Sequence, residues 1–328
     1  MGKISNKFDI IAKLDHVTKA FREVVAVSDA TFSIERGKIT GFLGPNGSGK
    51  TTAIKMILGL IKPQTGEVTL FGKVPFYNSS VKQLVGYVPE INAFPKGMKA
   101  HDYLVSFGRF LLNKKEAILR ANEVLKEIGL SNVKNKRISQ FSKGMKQLIK
   151  IGQGIIHRPA LVIADEPFNG LDPVVRKKMY NLFKEYSQQY NSTFFISSHI
   201  LFEMEKIAEK IILMYKGRTV AQGSPNRIRE MIENQPHSIQ ITVNNSSKFS
   251  RLLIKNADEK IISQIKFQKH PHSGKNQLVI LTHKPKEFYR LVNELVVENE
   301  IPINEIKTTD GGIQNLYKSL TIGKRVML

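Results

Sequence analysis

The sequence predicts an α/β protein, a mixed and mostly parallel sheet clothed by helices, followed by a smaller α+β domain. Three observations predict it. Strand-like and helix-like segments alternate up to about Gly223, the pattern of a parallel sheet covered by helices. Three strand-like runs, KITGFLG (Lys38 to Gly44), PALVIADEP (Pro159 to Pro167) and STFFISSH (Ser192 to His199), each end in a polar cluster. Open α/β sheets bind ligands at the C-terminal ends of their strands. After Gly223-Ser224-Pro225 the periodicity changes to a β-α-β-β-α-β order.

Taken in order, KITGFLG runs into a glycine-rich turn and a helix predicted over Thr51 to Leu60. His101 to Gly129 reads as two amphipathic helices, with a stripe of Phe107, Phe110 and Leu111 on the first and of Ala121, Val124, Leu125 and Ile128 on the second. These are packing faces of a helical subdomain spanning about 98–155 within a first domain of 1–223. A helical link over Asn226 to Asn234, ended by Pro236, occupies 224–236. The second domain, 237–328, reads as strand (Ser238 to Val243), helix (Ser247 to Lys255), strand (Ile261 to Gln268), a turn at His270 to Gly274, strand (Asn276 to Thr282), helix (Pro285 to Glu298) and strand (Ile303 to Lys307). That order is the ferredoxin-like plan. A last helix is expected after Gly311-Gly312, and the first domain is not repeated.

Across 328 residues, 41% are apolar and 24% charged, which is ordinary globular composition with material for a core. The absence of cysteine excludes disulfides and thiolate metal sites. Met1 to Asp9 is polar, so no secretory leader is expected. No run approaches the roughly 18 consecutive apolar residues of a membrane-spanning helix. Fifty basic against 28 acidic residues give a net charge of +22. Such a field attracts polyanions, either nucleic acid or an anionic membrane surface. A solvated lysine-rich exterior is the plainer alternative, and the lysines are scattered rather than gathered in one arm.

GPNGSGKTT (Gly44, Pro45, Asn46, Gly47, Ser48, Gly49, Lys50, Thr51, Thr52) carries the spacing of a phosphate-binding P-loop. Its glycines let successive amides point inward at phosphate oxygens, and the following helix adds its positive end. Lys50 is placed to reach the β- and γ-phosphates, and the Thr51 hydroxyl to ligate Mg²⁺. In LVIADEP, Asp165 would hold the metal through water and Glu166 would polarise the attacking water. Adjacent acids after a strand can instead cap the next helix.

With these motifs in place, the first domain resembles the ATPases of ABC transporters. QFSKGMKQLIKIGQGI (Gln140 to Ile155) looks like the signature loop and helix that separate this family from other P-loop proteins. The resemblance implies that Ser142 and Gly144, with Lys143 and Met145 beside them, reach the γ-phosphate of ATP held by a second copy of the chain. Alone, S-x-G before a helix is a common N-cap. His199 looks like the switch histidine, Asn169 to Asp172 resembles the D-loop in which Asp172 helps register two subunits, and Phe21 sits where the family stacks a ring on adenine, a place where a core phenylalanine is also common.

Two departures stand out. Glu90 replaces the usual glutamine, so a carboxylate would ligate Mg²⁺ and face the membrane partner; Lys143 and Met145 replace the commonest Gly and Gln of the signature. These resemble a branch of drug, antibiotic and polysaccharide exporters whose ATPase pairs with a separate integral membrane permease. GGIQNLYKSLT (Gly311 to Thr321) resembles the end of the extensions that branch carries. The resemblance implies ATP and Mg²⁺, an ATP-sandwich homodimer, and a peripheral position on the cytoplasmic side of the membrane. A soluble ABC ATPase acting on ribosomes or RNA would exploit the +22 charge, but such proteins hold two cassettes joined by a charged linker. A non-hydrolysing scaffold is disfavoured by the intact Lys50 and Glu166. The second domain shows no convergent acids or nucleophile and reads as regulatory or dimer-bracing.

Overall fold

The computed structural model describes residues 9–233, 236–258, 260–269 and 276–309, and the chain divides into two compact units, Met1–Pro225 and Asn226–Leu328. The expected turn at His270 to Gly274, the helix after Gly311-Gly312 and the GGIQNLYKSLT segment lie outside the described residues.

In the first unit, β1 (Ile10–Phe21) and β2 (Val24–Glu35) form a long hairpin, followed by β3 (Ile39–Leu43), α1 (Lys50–Ile57), β4 (Thr65–Leu70), α2 (Ser79–Lys82) and β5 (Val85–Val88). Then come α3 (Ala100–Gly108), α4 (Lys114–Glu127), α5 (Lys143–Ile155), β6 (Leu161–Ala164), α6 (Pro173–Tyr190), β7 (Thr193–Ser198), α7 (Leu201–Glu205), β8 (Lys210–Tyr215) and β9 (Arg218–Gly223). Six strands form one mixed sheet in the order β5-β6-β7-β3-β8-β9, parallel except for β9. Every residue of β3, β6 and β7 is buried, as strands covered on both faces require. Their ends deliver Gly44, Asp165 and His199 to one edge of the sheet.

A second sheet, β2-β1-β4, is wholly antiparallel. Its inner face, with Leu14, Val27, Phe32 and Val68, packs over α1 and the Phe42–Phe195 pair of the central sheet. It sets the P-loop between two sheets. Bulges near His16 and Asp29, both at positive φ, break the alternation of β1 and β2.

Two expectations need correction. The helix predicted to reach Leu60 stops at Ile57. Gly59 sits at φ 64° and the Leu60 amide bonds back to the Lys55 carbonyl, a left-handed helix stop. The Phe107, Phe110 and Leu111 stripe is not the packing face of α3. That helix ends at Gly108 and buries Ala100, Tyr103, Leu104 and Gly108, while Phe110 follows in a turn, 79% exposed. On α4, Ala121, Val124 and Leu125 are buried, and Ile128 beside them. The face of α5 against β5 is bare backbone: a Cβ on Gly86 would land on the Gly154 carbonyl oxygen.

The second unit contains α8 (Pro225–Glu233), which begins at the boundary, β10 (His237–Val243), α9 (Ser246–Asn256), β11 (Gln264–Lys269), β12 (Asn276–Thr282), α10 (Pro285–Glu298) and β13 (Ile303–Thr309). The strands form one antiparallel sheet in the order β11-β12-β10-β13. Ile239, Ile241, Leu278 and Ile280 pack against Phe249 and Leu253 of α9 and Phe288 and Val292 of α10.

Candidate functional site

The glycine-rich loop closes around its own lysine. Gly49, at φ 101°, leads into α1, and a Cβ there would land on the Ala26 carbonyl oxygen, so the loop fits beneath β2 only with glycine. Lys50 is buried, and its Nζ donates to the carbonyl oxygens of Gly44 at 2.7 Å and Pro45 at 3.4 Å. The N-terminus of α1 has no side-chain cap and no acid in its first turn. Its amides and the positive end of the helix dipole are therefore offered to an anion. Behind the loop, the Gly217 amide donates to the Ser48 carbonyl, bracing the cradle from the β8–β9 turn.

The acids meet this loop from β6. Asp165, 1% exposed, accepts from Thr51 Oγ1 at 3.0 Å on one oxygen and from Ser197 Oγ at 2.6 Å on the other. A carboxylate so buried needs these donors. Ser197 also accepts the Glu166 amide at 2.8 Å, so one hydroxyl orients both acids. Glu166 adopts the left-handed conformation at φ 47°, a placement that costs about 1–2 kcal/mol for a side-chain-bearing residue. Its two oxygens face two different basic side chains. Lys50 Nζ lies 3.2 Å from Oε1, an ion-pair distance without hydrogen-bond geometry, and His199 Nδ1 lies 2.9 Å from Oε2. Behind His199, Ser198 Oγ donates to the buried Glu203, whose carboxyl is pushed up by burial and held back by that bond and by Arg176.

Asn46 to Thr52, Glu90, Glu166 and Asn169 line a cleft of about 430 Å³ together with Val24, Val25 and Ala26 of β2. Glu90 arrives from the end of β5. Gly44 and Pro45 form the floor that holds Lys50. Phe21 ends β1 exposed, with Lys19 Nζ 5.4 Å from its ring centroid, and is not among the cleft-lining residues. The structure thus gathers the P-loop, Asp165, Glu166, His199 and Glu90.

It does not bring the signature to them. Ser142 N-caps α5, accepting from the Met145 amide at 3.2 Å. Ser142 and Met145 line a different depression with Leu130, Val175, Lys178 and Asn181, which shares no residue with the first. Gly144 packs beneath Val175. Lys143 extends over Gly170, where a Cβ would strike its Nζ. Asp172 caps α6, accepting from the Val174 and Val175 amides. Sequence reasoning missed Ser197, the β2 wall and Lys150. Lys150, 2% exposed, donates to the carbonyls of Pro89 and Glu90 at 2.8 Å each. Burial pushes its ammonium down to about 8 against the raising effect of Glu90, with Lys143 adding to the fall.

Comparison with known proteins identifies the family. The ABC transporter family model matches residues 27–169. The bacitracin transport ATP-binding protein BcrA of Bacillus licheniformis is 30% identical over 315 residues, covering 95% of this chain and 98% of that protein. The Nod factor export ATP-binding protein I of Burkholderia lata is 30% identical over 224 residues, 67% of this chain and 73% of that protein. The structure of cbiO1 from Clostridium perfringens, part of the ABC transporter complex cbiONQ, aligns with a TM-score of 0.61 at 26% identity, over 67% of this chain and 91% of that one. The likeness to the Bacillus protein runs through both units, and the chain belongs to the ABC transporter family as an ATP-binding subunit whose ATP hydrolysis is coupled to transport.

Proposed function

We propose that the chain powers export through a separate membrane permease, and that two copies close head-to-tail over two ATP molecules to do so. The carrying observation is the separation of the two anion-binding ends: the P-loop cleft and the Ser142 depression share no lining residue. One chain therefore supplies two half-sites and completes neither. The relative named for Nod factor export favours export. No helix among the described residues is long and apolar enough to cross a membrane. We place the chain peripherally on the cytoplasmic face, with anionic lipid as a favourable surface for its +22 charge.

The residues then act as follows. The α1 amides, with Asn46 to Thr52, cradle the phosphates, and Lys50 moves from the Gly44 carbonyl to β- and γ-phosphate oxygens. Phe21, exposed at the end of β1, stacks on adenine. Thr51, Asp165 and Glu90 fit Mg²⁺. They offer only hard oxygen donors, and Thr51 Oγ1 and Asp165 Oδ2 already lie 3.0 Å apart. Among the described residues no cluster of three His, Cys, Asp or Glu competes for a metal. Mg²⁺ held by these oxygens would offset the charge that develops on the phosphates. Glu166 orients the attacking water, and His199, held on Glu166 Oε2, faces the γ-phosphate. The partner's Ser142 hydroxyl and Gly144 amide complete the charge compensation, with Lys143 and Met145 beside them and Asp172 at the subunit junction.

The cassette is assigned to 1–223, with its helical subdomain at about 98–155, a connecting helix to 224–236 and the second domain to 237–328. In the second domain, the first strand lies between the third and fourth and the second lies outermost; this order supports a ferredoxin-like plan. Glu166→Gln at saturating Mg-ATP tests the dimer. Light scattering should give twice the monomer mass, and a persistent monomer would refute the shared site.

A further inference from the structure

We propose that Lys150 is a positioning residue that fastens Glu90 to the signature helix, so that the carboxylate in the P-loop cleft and the serine that reaches the partner's nucleotide move as one body. This rests on the reading of the N-terminus of α5 as a half-site.

Three contacts carry it. Lys150 lies two turns inside α5 from Ser142, and its Nζ holds both carbonyls of the Pro89–Glu90 segment at 2.8 Å. One turn further along, Gly154 lies against Gly86 with no room for a side chain between strand and helix. The helix therefore cannot slide without carrying the end of β5. At the other end of the segment, Glu90 lines the cleft with Lys50 and Thr51.

Packing alone does not explain this lysine. It is 2% exposed, between the buried Ile149 and Ile151 of α5, where an ammonium is expensive to desolvate. Methionine fills a similar volume without that cost. The segment that Lys150 holds turns outward straight after the bond, with Glu90 to Ala93 exposed. What the ammonium adds is direction: two charge-assisted bonds from one atom fix the backbone that aims Glu90.

The test is a mutant cycle on the full chain, with steady-state ATPase rates and binding of a fluorescent ATP analogue. Lys150→Met should lower kcat about 10-fold while the nucleotide Kd moves less than about 2-fold. Lys150→Arg, which keeps the charged donors, should recover to within about 3-fold of wild type. In a Glu90→Ala background, Lys150→Met should cost less than about 2-fold more, since no side chain is left at position 90 for the lysine to aim. Wild-type kcat in Lys150→Met, or effects that multiply with Glu90→Ala, would overturn the proposal. Should Lys150→Met fail to fold, Lys150→Gln carries the same cycle. The failures are distinguishable: wild-type turnover in Lys50→Ala sinks the nucleotide reading, whereas a dead Lys50→Ala beside an unaffected Lys150→Met sinks only the role of Lys150.

Discussion

Gly49 opens α1 with no side chain bonded to the helix amides, whereas Ser142 opens α5 with its hydroxyl already accepting from the Met145 amide. The first end is incomplete without an anion; the second satisfies itself. The difference is chemical as well as structural. A serine that caps with a lone pair keeps its O–H to donate, so Ser142 can meet a phosphate oxygen without surrendering the cap. The starts of α4, α6 and α9 follow the self-satisfied pattern, with a reciprocal Asn113–Glu116 box, Asp172 and Asn245, whereas α2, α3, α7 and α10 have no side-chain cap either; α1 differs from these in opening directly from the glycine-rich loop into the cleft. One end is thus built to grip phosphate and the other to touch it once the grip exists.

Removing the grip should be the largest effect. Lys50→Ala deletes the one buried cation that spans the Gly44 carbonyl and Glu166. Turnover should fall at least about 100-fold in an ATPase assay, the scale of a lost transition-state charge partner. Turnover near wild type would mean that the cradle is not where ATP is cleaved. Removing the touch should cost less: Ser142→Ala should lower kcat about 10–100-fold with nucleotide affinity nearly unchanged, because a single hydrogen-bond donor is lost. It should also lower stability by about 1 kcal/mol, the typical worth of an N-cap. A loss of ATP affinity as large as that of Lys50→Ala would erase the distinction between the two ends.

The sequence made the ends legible and much of what lies between them obscure. Glycine spacing, paired acids and an S-x-G before a helix are local chemistry, so GPNGSGKTT, Asp165-Glu166 and Ser142 could be read directly from the chain. The all-antiparallel β1-β2-β4 sheet went unread because bulges at His16 and Asp29 scramble the two-residue alternation that marks a strand. Phe110 was misplaced because apolar spacing does not reveal that α3 stops at Gly108. Ser197 looks like the tail of a hydrophobic strand until β6 and β7 pair and its hydroxyl meets both acids. Lys150 was invisible for a related reason: a lysine in a helix reads as solvent-exposed until β5 is packed on it.

The smallest effect is the most direct probe of the comparison, because it needs no turnover. Inorganic phosphate at a few times its dissociation constant should stabilise the native chain by about 1 kcal/mol through mass action, a rise of about 2–4 °C in the unfolding midpoint for a domain of this size. If the open end of α1 is the binder, Lys50→Ala should abolish the rise and Ser142→Ala should keep it, even while melting earlier overall. The reverse outcome, phosphate protection lost with Ser142 and kept without Lys50, would place the free anion on α5. A self-capped helix end would then be the stronger phosphate site. An uncapped α1, with no acid in its first turn and a glycine that fits only beneath Ala26, argues against that outcome, since its amides have no side chain to turn to when the anion leaves.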